Sequence, residues 1–64
     1  MQNYIIKLED GRVFGGWDFE GKIFILPLDR TELVYRMKYP LAQRTVEKVE
    51  KATGLRCQIE KIAS

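Results

Sequence analysis

The chain has 64 residues, 45% of them apolar, and a formal net charge of +2 at neutral pH. This composition allows one folded domain, residues 1–64, and excludes a disordered segment. A single cysteine and no histidine exclude an internal disulfide and an ordinary zinc site.

The absence of targeting signals narrows the setting in which this chain is expected to act. No apolar stretch approaches the roughly twenty residues that a membrane helix needs, and the N-terminus has no secretory signal. We expect a cytoplasmic protein with a reduced thiol, no cofactor, no metal and no membrane partner. We also expect a complete short product rather than part of a larger enzyme.

The first half of the sequence predicts a three-stranded antiparallel meander. Alternating and apolar segments predict strands over 3–8, 12–19 and 22–28. The dipeptide Asp10-Gly11 favours a type I′ turn between the first two strands. Glu20 and Gly21 predict the second turn.

Two features of these strands predict local geometry. Gly15 and Gly16 lie inside the second strand, so we predict a β-bulge that takes Phe14 and Trp17 out of strict alternation. The third strand is apolar at successive positions, which predicts a central strand covered on both faces. Pro27 cannot donate to a ladder and should mark the end of this strand or an edge.

The segment 29–39 has two patterns. Asp29 and Glu32 have the spacing of a helix capping box. A period of two also runs through this segment and favours a fourth strand over 32–38. Its two sets are Leu33, Tyr35, Met37 and Tyr39 on one side, and Glu32, Val34, Arg36 and Lys38 on the other. We favour the strand and leave the helix as the alternative.

The second half predicts a helix over 41–53 followed by a strand over 55–62. One apolar stripe repeats at helical spacing, formed by Ala42, Thr45, Val46, Val49 and Ala52, and Gly54 suits the residue after a helix. The predicted fold is therefore an α+β domain in which one helix packs on one face of a small antiparallel sheet.

No residue set supports catalysis. Without histidine, the usual general base of a nucleophilic triad is missing, and Cys57 has the alternation of a core residue. Carboxylates at 9, 10, 18 and 20 lie at predicted turns, where local backbone amides usually bind them. We expect a protein that is not an enzyme.

The predicted sheet carries more apolar side chains than one helix can cover. An exposed apolar surface usually marks an interface, so we predict a protein-binding module, a regulator or accessory subunit. The partner would include a second copy, giving a homodimer. Because aromatic residues and arginine are enriched at binding hot spots, the predicted contact residues are Phe14, Trp17, Phe19 and Tyr35, with Arg36 and Lys38 as charges at the rim.

The alternative function is binding of single-stranded nucleic acid. Sheet aromatics could stack on bases while arginine and lysine contact phosphates. The segment RVFGGWDF differs from the sequence of RNA-recognition strands, since no glycine follows its basic residue. Asp18 and Glu20 would repel phosphates, which makes this function the second choice.

Overall fold

The computed structural model describes residues 3–62 and contains one four-stranded antiparallel sheet with one α-helix packed on it. This confirms the predicted α+β class, the N-terminal meander and the C-terminal strand. The strands are β1 (Tyr4–Leu8), β2 (Val13–Trp17), β3 (Ile23–Leu26) and β4 (Cys57–Lys61). Their order across the sheet is β3-β2-β1-β4, so the returning strand pairs with β1.

Both hairpin turns end in a glycine at positive φ. Gly11 has φ 95° and Gly21 has φ 82°, and their amides donate to the carbonyls of Leu8 and Asp18, both at 2.9 Å. The prediction of a type I′ turn is wrong, because that turn needs positive φ at two successive residues and Asp10 does not have it. The connection is instead a three-residue loop closed by glycine.

The predicted bulge in β2 is confirmed. Phe14 pairs with Ile25 and Trp17 pairs with Ile23, with a register shift between them. The shift brings Phe14 and Trp17 to the same face of the sheet, and their ring centroids lie 5.0 Å apart. Gly16, at φ 103°, occupies the bulge in a conformation that L side chains rarely adopt.

The prediction that β3 is central is wrong, because this strand forms one edge of the sheet. Phe24, one of its four residues, is 49% exposed. Pro27 follows the last residue of β3, as expected of a proline at a strand end.

The predicted strand over 32–38 is also wrong. Residues Leu28–Leu33 form two successive 3-10 turns with a kink at Arg30, which we call the 3-10 helix. Its N-terminus has no side-chain cap of the predicted kind. The chain then crosses between β1 and β2, which pair only at Lys7 and Val13. There the Tyr35 amide donates to the Phe14 carbonyl (3.0 Å), and Met37 forms an isolated bridge with Tyr4.

The helix α1 spans Tyr39–Thr53, two residues longer at its start than predicted, and ends at Gly54 with φ 74°. Of the predicted stripe, Ala42, Thr45 and Val49 are buried. Val46 is half-buried, and Ala52, in the last turn, is exposed, so the stripe does not extend that far. The buried residues pack on the main core, whose other fully buried members come from β1, β2 and the crossing segment: Ile6, Leu8, Phe14 and Met37.

Candidate functional site

The sheet has two halves with different surroundings. In the β1–β4 half, α1 packs against both strands. Here Ile6 and Leu8 are buried, whereas Lys7 and Gln58, which pair across the opposite face, are exposed. This half therefore has one covered face and one largely polar face. The β2–β3 half packs mainly against the 3-10 helix, and Phe14 is the fully buried residue that it contributes to the core shared with α1.

Three rings form a cluster on the helix-bearing face of the β2–β3 half. Phe14 lies edge-on to Trp17 and Tyr35, with centroid distances of 5.0 and 5.8 Å, and the Trp17 and Tyr35 rings are 5.4 Å apart. We call Phe14, Trp17 and Tyr35 the aromatic cluster. Such edge-to-face pairs contribute about 0.5–1.5 kcal/mol each beyond their buried area.

Backbone geometry holds the aromatic cluster in place. The hydrogen bond from the Tyr35 amide to the Phe14 carbonyl fixes one chain segment against the other. A Cβ on Gly16 would lie 3.2 Å from Cδ1 of Tyr35, so the ring packs closely on the bulge. The bulge therefore sets the positions of both Trp17 and Tyr35.

The aromatic residues predicted as contacts differ in their exposure. Phe14 is 0% exposed and belongs to the core, so it is unavailable for direct contact, and that part of the prediction is wrong. Trp17 and Tyr35 are 39% and 38% exposed, and Phe19, in the β2–β3 turn, is 99% exposed. The structure thus brings Trp17 and Tyr35 together over a buried Phe14.

Arg36 and Lys38 are exposed and flank the buried Met37. They follow Tyr35 in the crossing segment, so both charges lie in the same stretch of chain as one ring of the aromatic cluster. Their placement is compatible with a charged rim.

A second apolar surface lies on the opposite face of the β2–β3 half. Val13 and Leu26, which pair across the strands, are 3% and 5% exposed although α1 is on the other side. The Leu26 side chain packs over Gly15, where an added Cβ would lie 2.7 Å from its Cγ. Phe24 and Leu28 remain 49% and 64% exposed.

Sequence reasoning missed Phe24 and Leu28 as surface residues. Because both odd and even positions of β3 are apolar, the sequence suggested that both faces of the strand are covered, whereas the strand lies at an edge of the sheet. Pro27 was the one signal that could have corrected this, because proline is excluded from central strands.

A cavity of about 300 Å³ lies in the β1–β4 half, lined by Lys7, Leu8, Glu9, Arg56, Gln58 and Glu60. Its charges are mixed. The Glu9 carboxylate accepts a hydrogen bond from the Arg56 amide at 2.7 Å, which gives it a structural role between the first turn and β4. This arrangement provides no nucleophile with a neighbouring base.

Cys57 has the surroundings of a structural residue. Burial, followed by the nearby charges of Glu50, Asp10 and Glu9, raises the pKa of the thiol. Its amide donates to a Glu50 carboxylate oxygen at 3.0 Å, joining β4 to the helix. A reactive cysteine needs the opposite electrostatic setting.

Residues 3–62 offer neither a grouped set of metal ligands nor a membrane-spanning helix. Within that range, no three His, Cys, Asp or Glu side chains are grouped so that they could hold a metal ion. No helix in the same range combines the length and apolar character needed to cross a bilayer.

Comparison with known proteins adds no relative: no family model, curated protein or solved structure matches this chain.

Proposed function

We propose that this protein is a non-enzymatic protein-binding module, a regulator or accessory subunit acting in the cytoplasm. The observation that carries the proposal is the exposure of Trp17 and Tyr35, packed edge-on against the buried Phe14. Rings that are already fixed before binding lose little conformational entropy on association, which is typical of residues that dominate interfaces.

The distribution of exposed apolar residues supports the same conclusion. Trp17, Phe19, Phe24, Leu28 and Tyr35 are all exposed, and all lie in the β2–β3 half or in the segment packed beside it. They place exposed apolar surface on both faces of the β2–β3 half, and exposed apolar surface is a mark of interaction sites. Arg36 and Lys38 would then contact the rim of the partner.

The test is capture of partners from the native host with immobilised protein, comparing the unchanged chain with Trp17→Ala. Trp17 is the expected hot spot, so its loss should weaken binding about 30-fold or more, corresponding to ~2 kcal/mol. Tyr39→Ala is the matched control, since Tyr39 is 45% exposed but packs with Tyr4, 5.1 Å away, in the other half. Equal capture by Trp17→Ala and the unchanged chain would contradict the proposal.

A salt titration separates protein binding from the nucleic-acid alternative. Single-stranded oligonucleotides are the probe, because phosphate contacts release counterions and lose affinity steeply as salt rises. We expect partner capture to persist at moderate salt and oligonucleotide binding to be weak. Tight oligonucleotide binding that disappears with salt and with Trp17→Ala would replace the protein-binding proposal.

A further inference from the structure

The two edges of the sheet differ in their protection against pairing with another strand. The β4 edge carries Gln58, Glu60 and Lys61, and charged edge residues discourage such pairing. The β3 edge reads Ile-Phe-Ile-Leu and has no charged side chain. Natural proteins usually cover or charge an apolar edge of this kind.

The backbone of β3 is oriented for pairing at its free side. The Lys22 carbonyl accepts a hydrogen bond from the Asp18 amide at 2.9 Å, so the polar groups of Lys22 face β2. Because these groups alternate along a strand, the N–H and C=O groups of Ile23 and Ile25 face outward. Within residues 3–62, neither residue bonds a loop or helix backbone.

We propose that β3 pairs antiparallel with β3 of a second copy, forming one continuous sheet across a two-fold axis at Phe24. In this register Ile23 of one copy lies opposite Ile25 of the other, and all four outward N–H groups meet outward carbonyls. The proposal goes beyond the function argued above, because it uses the strand edge rather than the surface of Trp17 and Tyr35.

The side chains are complementary in the same register. The two Phe24 side chains become a non-hydrogen-bonded cross-strand pair, the closer of the two pair types. Lys22 lies opposite Leu26 of the other copy, so no like charges oppose each other. Pro27 has no N–H to extend the ladder, which limits pairing to the length of β3. A second copy therefore fits this short edge at every position.

The pairing also has a geometric consequence for the aromatic cluster. A two-fold axis that relates antiparallel edge strands runs perpendicular to the sheet, so both helices and both clusters share one face. The two β2 strands would lie about 15 Å apart, three interstrand spacings. The dimer would therefore present two copies of the Trp17–Tyr35 surface side by side.

The experiment combines sedimentation and amide hydrogen exchange of the full chain, from about 10 μM to about 1 mM, since dimerisation depends on protomer concentration. We expect a monomer–dimer equilibrium in which the Ile23 and Ile25 amides gain protection as the dimer forms. The Phe24 amide, which faces β2, should show no comparable concentration dependence.

Phe24→Lys tests the register, because it places two lysines opposite each other at the axis. It should weaken dimerisation about tenfold or more, with the monomer still folded by circular dichroism. Leu28→Lys is the control: it also charges an exposed apolar residue, 64% exposed, but lies outside β3. Should Phe24→Lys not fold, Phe24→Glu provides the same test, because it also places two like charges opposite each other at the axis.

Three results would overturn the inference: a monomer at every concentration, a dimer in which the Ile23 and Ile25 amides exchange freely, or a dimer as sensitive to Leu28→Lys as to Phe24→Lys. Trp17→Ala keeps this test separate from the proposed function. It should remove partner capture but leave dimerisation within about twofold, so either proposal can fail alone.

Discussion

The β1–β4 half and the β2–β3 half bury their apolar side chains in different ways. In the β1–β4 half, alternation divides the strands cleanly: Ile6 is 0% exposed beneath α1, while Lys7 and Gln58 face solvent on the opposite side. This half therefore leaves little apolar surface exposed, because α1 covers one face and largely polar side chains occupy the other.

The β2–β3 half has apolar residues on both faces, and Phe14 is the fully buried residue that it shares with the core beneath α1. It buries Phe14 and Leu26 by using the aromatic cluster and the glycines of β2, and it leaves Trp17 and Phe24 partly exposed. The difference places a stable scaffold in one half and a candidate interaction surface in the other.

The largest expected effect is the loss of stability when a buried ring of the β2–β3 half is truncated, compared with the loss when an exposed ring of the same half is truncated. Phe14→Ala removes a fully buried ring, and such truncations typically cost about 3–5 kcal/mol. Phe19→Ala, at a 99% exposed ring, should change stability by less than ~0.5 kcal/mol. Urea unfolding of both variants measures the contrast.

A domain of this size has only about 3–10 kcal/mol of total stability, so the cost of Phe14→Ala is comparable to the whole. Phe14→Leu, with an expected cost of about 1–2 kcal/mol, is therefore the second variant to measure. Similar costs for Phe14 and Phe19 would remove the distinction between support and surface on which the site is built.

A smaller effect is expected from the glycine that positions the aromatic cluster. Gly16→Ala introduces a Cβ at φ 103° and 3.2 Å from the Tyr35 ring, whereas Gly21→Ala, at φ 82°, has no atom within 4 Å of the new Cβ. Both should lose roughly 1–2 kcal/mol from backbone strain, and Gly16→Ala should lose more.

Near-ultraviolet circular dichroism provides the second measurement for this glycine pair. Only Gly16→Ala should change the aromatic signal, since only that Cβ meets a ring. Equal losses of stability with unchanged spectra would mean that the bulge does not determine the placement of Tyr35.

The helix, the meander and the bulge were predictable because each depends on local sequence. Gly54 ends α1 in the left-handed conformation that glycine favours, and the Gly15-Gly16 pair marks the register shift in β2. Helical spacing also predicted the buried residues of α1, although it wrongly included Ala52 at the end of the helix.

The edge position of β3 and the path of residues 28–38 depend instead on tertiary context. The alternation of Tyr35 and Met37 is real, since one bonds Phe14 and the other bridges Tyr4. However, β1 and β2 pair at one position only and are separated beyond it. The segment passes between the two strands there, with one backbone contact to each, instead of forming a regular strand of its own. No local sequence pattern predicts how far apart β1 and β2 lie at that end of the sheet.

The candidate site was only partly predictable for the same reason. An aromatic residue in a short strand has the same sequence pattern whether it faces the core or the solvent, so Phe14 and Trp17 were indistinguishable before the structure. The first turn is a similar case: Asp10-Gly11 predicted a hairpin, but the choice of turn type depended on which residues take positive φ.

The smallest expected effect concerns this first turn, which connects the two halves. The Asp10 carboxylate accepts hydrogen bonds from the Arg12 amide (3.0 Å) and the Arg12 side chain (2.7 Å). These contacts, the amide first, lower the pKa of Asp10 below its ordinary value of 3.8. A carboxyl whose pKa is lower in the folded state stabilises the fold above its unfolded pKa and loses that contribution as pH falls through the folded value.

The free energy of unfolding, measured from neutral pH to below pH 3, should therefore fall slightly less steeply with pH for Asp10→Asn than for the unchanged chain. Because the group is at the surface, the difference should be small, and a steeper decline in the variant would show that the folded carboxyl has a raised pKa instead.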